Sequence, residues 1–192
     1  MRLLFHACCA PCILYPQSVL TSKKIDVTYF FFNPNIHPEK EYIRRRETIK
    51  KYCKDNDISL IVKDPAGSSE EREKKWLEAK AGSRCTMCYD IRLEETARYA
   101  SLNGFDYFST TLLGSIYQDH DKIISLAGKY EKEYGIRFYY LDFREGFRIG
   151  QQMAREADIY RQKYCGCICS LNSSKFREKV LKSLGEYDPE IL

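Results

Sequence analysis

The chain opens with MRLLFHACCAPC, Met1 to Cys12, and the fold is read outward from this stretch. The apolar run Leu3-Leu4-Phe5 makes Met1–Ala7 a buried strand. Three thiols, Cys8, Cys9 and Cys12, crowd the turn that follows it. A helical pattern then runs from Cys12 to Ser22, with Pro16 placed in its first turn, where a missing N–H costs little. A strand, a functional turn and a helix in this order is the opening unit of an α/β fold.

The alternation continues along the chain. Ile25–Asn33 (IDVTYFFFN) is rich in β-branched and aromatic residues and reads as a strand. Pro38 opens a helix that reaches Cys53, and Ile58–Val62 forms a third strand. The charged stretch Pro65–Ala81 reads as a surface helix anchored by Trp76 and Leu77. A long helix from Cys85 to Asn103 offers Ile91, Leu93, Ala97 and Ala100 to a core. Phe105–Leu112 is the fourth strand, Asp119–Tyr134 a helix closed by Gly135, and Ile136–Phe143 the fifth strand. A helix around Ile149–Ala157, a cysteine-bearing loop and a last helix over about 173–184 complete the chain. The expectation is a single three-layer α/β/α domain spanning residues 1–192, with a mostly parallel five-stranded sheet. In such sheets ligands gather beyond the carboxyl ends of the strands, where the strand order reverses. The first thiol group, Thr110 with Thr111, and Asp142 all fall at strand ends on that edge.

Composition narrows the function classes. Hydrophobic residues make up 44% and charged residues 30% of the 192, a globular balance. The formal charge of +4 permits an RNA or phosphate partner without requiring one. No apolar run approaches a membrane span or the core of a signal peptide, so the expected setting is the cytoplasm. Nine cysteines in a reducing compartment point to metal or redox chemistry rather than disulfide scaffolding. Eight of them cluster: Cys8, Cys9 and Cys12; Cys85 and Cys88; Cys165, Cys167 and Cys169. Cys53 follows a helical run alone and reads as a small buried hydrophobe.

A zinc site consumes four thiolates, and more are on offer here, which favours iron–sulfur chemistry. No histidine pair competes. His6 lies inside the first strand as a core residue or a support for a ligand, and His37 and His120 read as isolated surface residues. Adjacent Cys8 and Cys9 would point in opposite senses on an extended chain and so reach different metals. Asp142 is a hard oxygen donor for an iron or a proton donor, with pairing to an arginine as the structural alternative. The phenols Tyr89 and Tyr164 are further proton donors.

These residues carry a resemblance. Cys8-Cys9-Ala10-Pro11-Cys12, Phe32-Asn33-Pro34-Asn35-Ile36 with Pro38, Glu41-Tyr42 and Arg45, and Arg84-Cys85-x-x-Cys88-Tyr89 with Arg92-Leu93 resemble the QueH-type epoxyqueuosine reductases. So do Phe105-Asp106-x-Phe108 with Thr110-Thr111-Leu112, Asp142-Phe143, and Tyr160-Arg161-Gln162-x-Tyr164-Cys165-Gly166-Cys167. After Leu112 the chain reads LGSIYQDHDK where the family pattern has Ser-Pro and then a lysine, a part that Lys122 is expected to fill. Cys169 lies outside the pattern and reads as incidental.

The resemblance implies an adenine-nucleotide α-hydrolase-like (HUP-like) fold. It implies reduction of epoxyqueuosine to queuosine at the tRNA wobble position, with a [4Fe-4S] cluster, an adjacent mononuclear iron and no cobalamin. Cys8, Cys9, Cys12, Cys85, Cys88, Cys165, Cys167 and Asp142 are the expected metal ligands. Arg45, Tyr160, Arg161, Gln162 and Lys122 are the expected tRNA contacts, and an electron donor completes the partners. The rival readings are a tRNA-thiolating enzyme of similar fold, a zinc- or iron–sulfur-stabilised tRNA-binding protein, and a thiol–disulfide oxidoreductase. The first needs a glycine- and serine-rich phosphate loop after the first strand, which HACCAPC does not supply.

Overall fold

The computed structural model describes residues 1–186. Five strands form one parallel sheet: β1 (Arg2–His6), β2 (Asp26–Phe31), β3 (Leu60–Val62), β4 (Tyr107–Thr110) and β5 (Arg137–Phe138). Their order is β3-β2-β1-β4-β5, so the chain reverses its direction of growth between β1 and β4. These two neighbouring strands then flank a crevice at their carboxyl ends. The helices are α1 (Pro11–Ser22), α2 (Glu39–Asp55), α3 (Ser69–Glu78), α4 (Arg84–Leu102), α5 (His120–Tyr134), α6 (Phe147–Glu156), α7 (Ile168–Asn172) and α8 (Arg177–Leu184). Right-handed crossovers put α1 and α2 on one face of the sheet and α4 and α5 on the other. Among the described residues no helix is long and apolar enough to cross a membrane.

The core forms because β1, β2 and β4 are apolar on both faces, as strands covered by helices on both sides must be. Leu3, Leu4, Phe5, Tyr29, Phe30, Phe31 and Phe108 are fully buried. Phe5 meets Tyr29 and Phe143 edge-on, with ring centroids 5.7 and 5.8 Å apart. A second, smaller cluster of Tyr164, Leu171, Val180 and Leu184 packs apart from this core and supports the cysteine-bearing C-terminal segment.

Several element boundaries differ from expectation, each for a local reason. α1 starts at Pro11, so Pro16 sits inside the helix rather than in its first turn, where its ring removes the bond to the Cys12 carbonyl. β4 stops at Thr110 because that side chain accepts from Leu112 N–H and starts a 3-10 turn over Thr111–Gly114. β5 therefore loses its partner after Tyr139 N–H reaches Phe108 O, and the expected strand 136–143 is two residues long. Residues 141–143, with Asp142, are irregular backbone. α3 has a Ser68–Glu71 capping box, but only Trp76 anchors it, since Leu77 is exposed. The last helix begins at Arg177, with the short α7 ahead of it in the expected loop.

Replacing Phe5 with Ala removes the ring between Tyr29 and Phe143 and should lower the unfolding free energy by about 3–5 kcal/mol. Urea denaturation of the purified protein measures this.

Candidate metal centre

The crevice between β1 and β4 is built by paired side chains. His6 and Thr110 are register partners, and His6 Nδ1 lies 3.0 Å from Thr110 Oγ1 while Nε2 faces Phe32 O at 3.2 Å. A carbonyl only accepts, so Nε2 carries the proton and Nδ1 accepts from the threonine. Complete burial, reinforced by Arg92, holds the His6 pKa down at about 3, so the ring is a neutral strut between strands.

One residue further, Thr111 Oγ1 accepts from Cys8 N–H at 3.2 Å and donates to Cys8 Sγ at 3.5 Å. The sulfurs of Cys8, Cys9 and Cys12 all lie within 4.8 Å of one another. Cys9 and Cys12 touch as a disulfide pair, with Cα atoms 5.5 Å apart, and Cys8 Sγ is 3.7 Å from Cys9 Sγ. The expectation that Cys8 and Cys9 diverge is therefore corrected. The backbone after Ala7 bends out of extended conformation, and both sulfurs join one group.

Of the other thiols, Cys165 is near enough for its charge to act on Cys8, Cys85, Cys88 and Cys167, while among the described residues only Cys8, Cys9 and Cys12 form one compact group. Burial pushes the Cys88 thiol up to about 12 and Cys167 up to about 11, and raises Cys8 and Cys85 as well. A metal ion would displace those protons on binding. Cys53 is buried alone, as expected, and Cys169 donates to Trp76 O at 3.4 Å. A cavity of about 600 Å³ opens beside the sulfurs, lined by Cys8, Cys12, Arg92, Thr111, Gln162 and Cys165 among others. That volume lies within the range of small-molecule sites.

Arg92 is a residue that the thiol spacing did not single out. It lies one helical turn after Cys88, which puts the two on one face of α4, and that spacing was the available signal. It is 2% exposed and donates to Cys88 O at 2.8 Å and Cys88 Sγ at 3.1 Å. Among the described residues no carboxylate pairs with it, and the ionisable groups close enough to act on it include Cys88, Cys165, Cys8 and Tyr89. A buried guanidinium needs a negative partner, and thiolates are the ones within reach. The donor set and this cation together suit a thiolate-bound metal group.

Amide side chains complete the sulfur environment. Gln162 donates to Cys9 Sγ at 3.0 Å. Gln118 donates to Cys165 Sγ at 3.7 Å and accepts from Tyr89 O–H at 2.7 Å. The Tyr89 phenol is pushed up to about 12, chiefly by burial, and keeps its proton at neutral pH.

The C-terminal thiols are held by α2. Arg45 is 1% exposed and donates to Glu41 Oε1 at 2.8 Å, Cys165 O at 3.0 Å and Tyr164 O at 3.2 Å. Tyr160 O–H closes the far side of Glu41 at 2.8 Å, and Arg44 lies over the Tyr160 ring. Arg45 and Tyr160 were expected to touch RNA; Arg45 is enclosed in the protein, and the half-buried Tyr160 shares Glu41 with it. His37, expected at the surface, is fully buried: its N–H reaches Gly166 O, its Nδ1 accepts from Ile168 N–H, and Tyr164 O–H donates to its carbonyl. His120 is half-buried, with Nε2 3.2 Å from Tyr140 O–H.

Asp142 is paired with an arginine. Arg144 grips its carboxylate, Nε to Oδ1 at 2.9 Å and Nη2 to Oδ2 at 2.6 Å, and holds its pKa down at about 2. Neither Asp142 nor Tyr89 lines the cavity, whereas Tyr164 does. Lys122 is exposed in the first turn of α5, and Arg161 is half-buried.

The model of the family described as "Epoxyqueuosine reductase QueH" matches residues 3–173. The chain belongs to the QueH family. It is 36% identical to the epoxyqueuosine reductase QueH of Dehalococcoides mccartyi over 88% of this chain and 92% of that one. The Thermotoga maritima QueH is 38% identical, over 88% and 89%. Among solved structures, a predicted subunit of tRNA methyltransferase from Methanocaldococcus jannaschii aligns with TM-score 0.53 at 13% identity. It covers 98% of this chain and 92% of that one, so the two share an overall fold. The QueH segment therefore includes every element that carries a clustered thiol.

Gly166 adopts φ +143°, and a Cβ there would stand 3.2 Å from both Arg45 Nη1 and Asn35 Nδ2. Gly166→Ala should displace the Cys165–Cys167 loop and lower metal content per chain about 10-fold, read by elemental analysis. Burial holds the His37 pKa near 4, against 6.5 for a free imidazole. Below 6.5 the unfolded chain takes up a proton that the folded chain refuses, so stability falls as pH drops from 6.5 towards 4. Urea unfolding of the metal-free protein should lose about 2 kcal/mol from this group between pH 7 and pH 5, and His37→Gln should flatten the slope.

Proposed function

We propose that this chain reduces epoxyqueuosine to queuosine at the wobble position of tRNA, using a [4Fe-4S] cluster and an adjacent iron, without cobalamin. The observation that carries the reading is the buried Arg92, facing thiols in place of any carboxylate, beside a cavity wide enough for a modified nucleobase. The metal group would be held by Cys8, Cys9, Cys12, Cys85, Cys88, Cys165 and Cys167. When bound, it supplies two electrons and Lewis acidity. The overall reaction consumes two electrons and two protons and converts the epoxide into an alkene and water.

The chain's own groups bind, orient and tune. Arg92 offsets negative charge on the thiolates, and its hydrogen bond to Cys88 Sγ draws electron density from that sulfur. Thr111 and Gln162 do the same for Cys8 and Cys9. Tyr89, protonated at neutral pH, fixes the Gln118 carbonyl so that its amide faces Cys165. Asp142, ionised and paired with Arg144, has no proton to give at neutral pH. The Tyr164 proton is engaged by His37 O, so this phenol anchors the loop. Protons then enter from water through the open cavity. Tyr160, Arg161, Gln162 and Lys122 remain the proposed RNA contacts among those read from the sequence, and an external reductant delivers the electrons.

The test is anaerobic purification with iron and sulfide analysis, followed by conversion of epoxide-bearing tRNA. Cys8→Ala and Cys88→Ala should each bind less iron and convert at least about 100-fold more slowly, while Arg92→Met should lose about 10- to 100-fold. Full conversion by metal-stripped protein would overturn the reading in favour of Cys9–Cys12 dithiol chemistry.

A further inference from the structure

The mouth of the cavity carries two exposed aromatic rings that no part of the metal centre uses. Tyr117 stands on the segment after the β4 turn, is 78% exposed and lines the cavity. Its ring is braced edge-on by Phe147, centroids 5.7 Å apart. Phe176, just before α8, lines the same cavity from the C-terminal segment and is 38% exposed. Exposed aromatic rings cost free energy in water unless something covers them, and these two flank one opening.

The charges beside them indicate what covers them. Lys163 Nζ lies 5.8 Å and Lys175 Nζ 5.3 Å from the Phe176 ring centroid. Neither lysine has a carboxylate partner among the described residues. Both are exposed. Aromatic faces interleaved with unpaired cations fit single-stranded nucleic acid, whose bases stack while its phosphates meet ammonium groups. A protein partner would sooner meet a larger apolar patch with a polar rim. Arg45, a sequence-read RNA contact, is internal, whereas this rim places exposed aromatic and cationic groups on the same cavity as Cys8, Cys12 and Cys165.

We infer that Tyr117 and Phe176 are stacking platforms for the nucleotides on either side of the one that enters the cavity, with Lys163 and Lys175 on their phosphates. The inference rests on the cavity being the site of an RNA nucleotide. Tyr117 belongs to the segment GSIYQDHDK, where this chain departs from the family pattern, so that departure affects how the flanking base is gripped and leaves the metal ligands untouched.

The experiment uses the full-length, metal-loaded protein and an anticodon stem-loop RNA, with affinity read by fluorescence anisotropy. Tyr117→Ala and Phe176→Ala should each weaken binding roughly 10-fold or more, and Tyr117→Trp should restore what Tyr117→Ala loses. Lys163→Ala and Lys175→Ala should each flatten the plot of log affinity against log salt by about 0.7. Iron content and thermal midpoint of the aromatic variants, measured alongside, should match the parent, which separates lost stacking from lost folding. A fully paired stem duplex lacking the loop should bind parent and aromatic variants alike. Unchanged loop affinity in both aromatic variants overturns the inference and leaves the rim to a protein partner. Equal losses for loop and duplex overturn it too. If the parent binds the loop through these rings but never reduces the epoxide, the proposed reaction fails and the stacking surface stands.

Discussion

A guanidinium placed in a protein interior must find enough acceptors to replace water, and Arg45 meets that requirement by joining two distant parts of the chain. Its Nε satisfies Glu41 on the same helix, and its two terminal nitrogens take the carbonyls of Tyr164 and Cys165. Glu41, itself fully buried, accepts from both Arg45 and the Tyr160 hydroxyl, which take the place of water at its carboxylate oxygens. Removing any member strands a charge or a carbonyl, so the group stands or falls together. Its location matters more than its energy: α2 belongs to the β2–β3 half of the sheet, and the loop it grips carries the last thiols. His37 and the Tyr164 hydroxyl reinforce the same joint from the neighbouring turn.

The opposite side of the centre depends on the sheet. Parallel strands β1 and β4 end side by side at the point where the strand order reverses, and just beyond them Cys8 and Thr111 bond to each other. In this fold such a crevice suits a phosphate when glycine-rich backbone N–H groups line it. Here thiols line it, and the cation nearby, Arg92, is buried and aimed at sulfur rather than at an open anion site. The fold supplies the place and the side chains decide the chemistry.

Local pattern carried much of the fold. The apolar strands, the order of strands and helices, the Asp119 cap and Gly135 stop of α5, and the grouping of thiols all depend on neighbours within a few residues, which a single sequence displays. The errors fall where a long-range partner decides. Arg45 looks like part of a basic run until the Tyr164 and Cys165 carbonyls, from the far end of the chain, enclose it. His37 looks like a loop histidine until Trp76 and Ile168 close over it. Asp142 looks like the end of a strand, but β5 stops early because β4 has already turned away. Arg92 was visible one turn from Cys88, yet its lack of a carboxylate partner is evident only in three dimensions.

The small cluster of Tyr164, Leu171, Val180 and Leu184 carries a consequence for chain topology. It gives the C-terminal segment its own modest core, joined to the sheet by a few polar bonds rather than by broad packing. A metal centre bridging Cys8 and Cys167 would close almost the entire chain into one loop. The unfolded ensemble would then lose the entropy of an open chain of that length, about 5 kcal/mol for a cross-link of this span. The thiolate cage is in that sense a clasp: loading it would bind the two ends of the polypeptide into one cooperative unit, and emptying it would let the C-terminal segment open on its own.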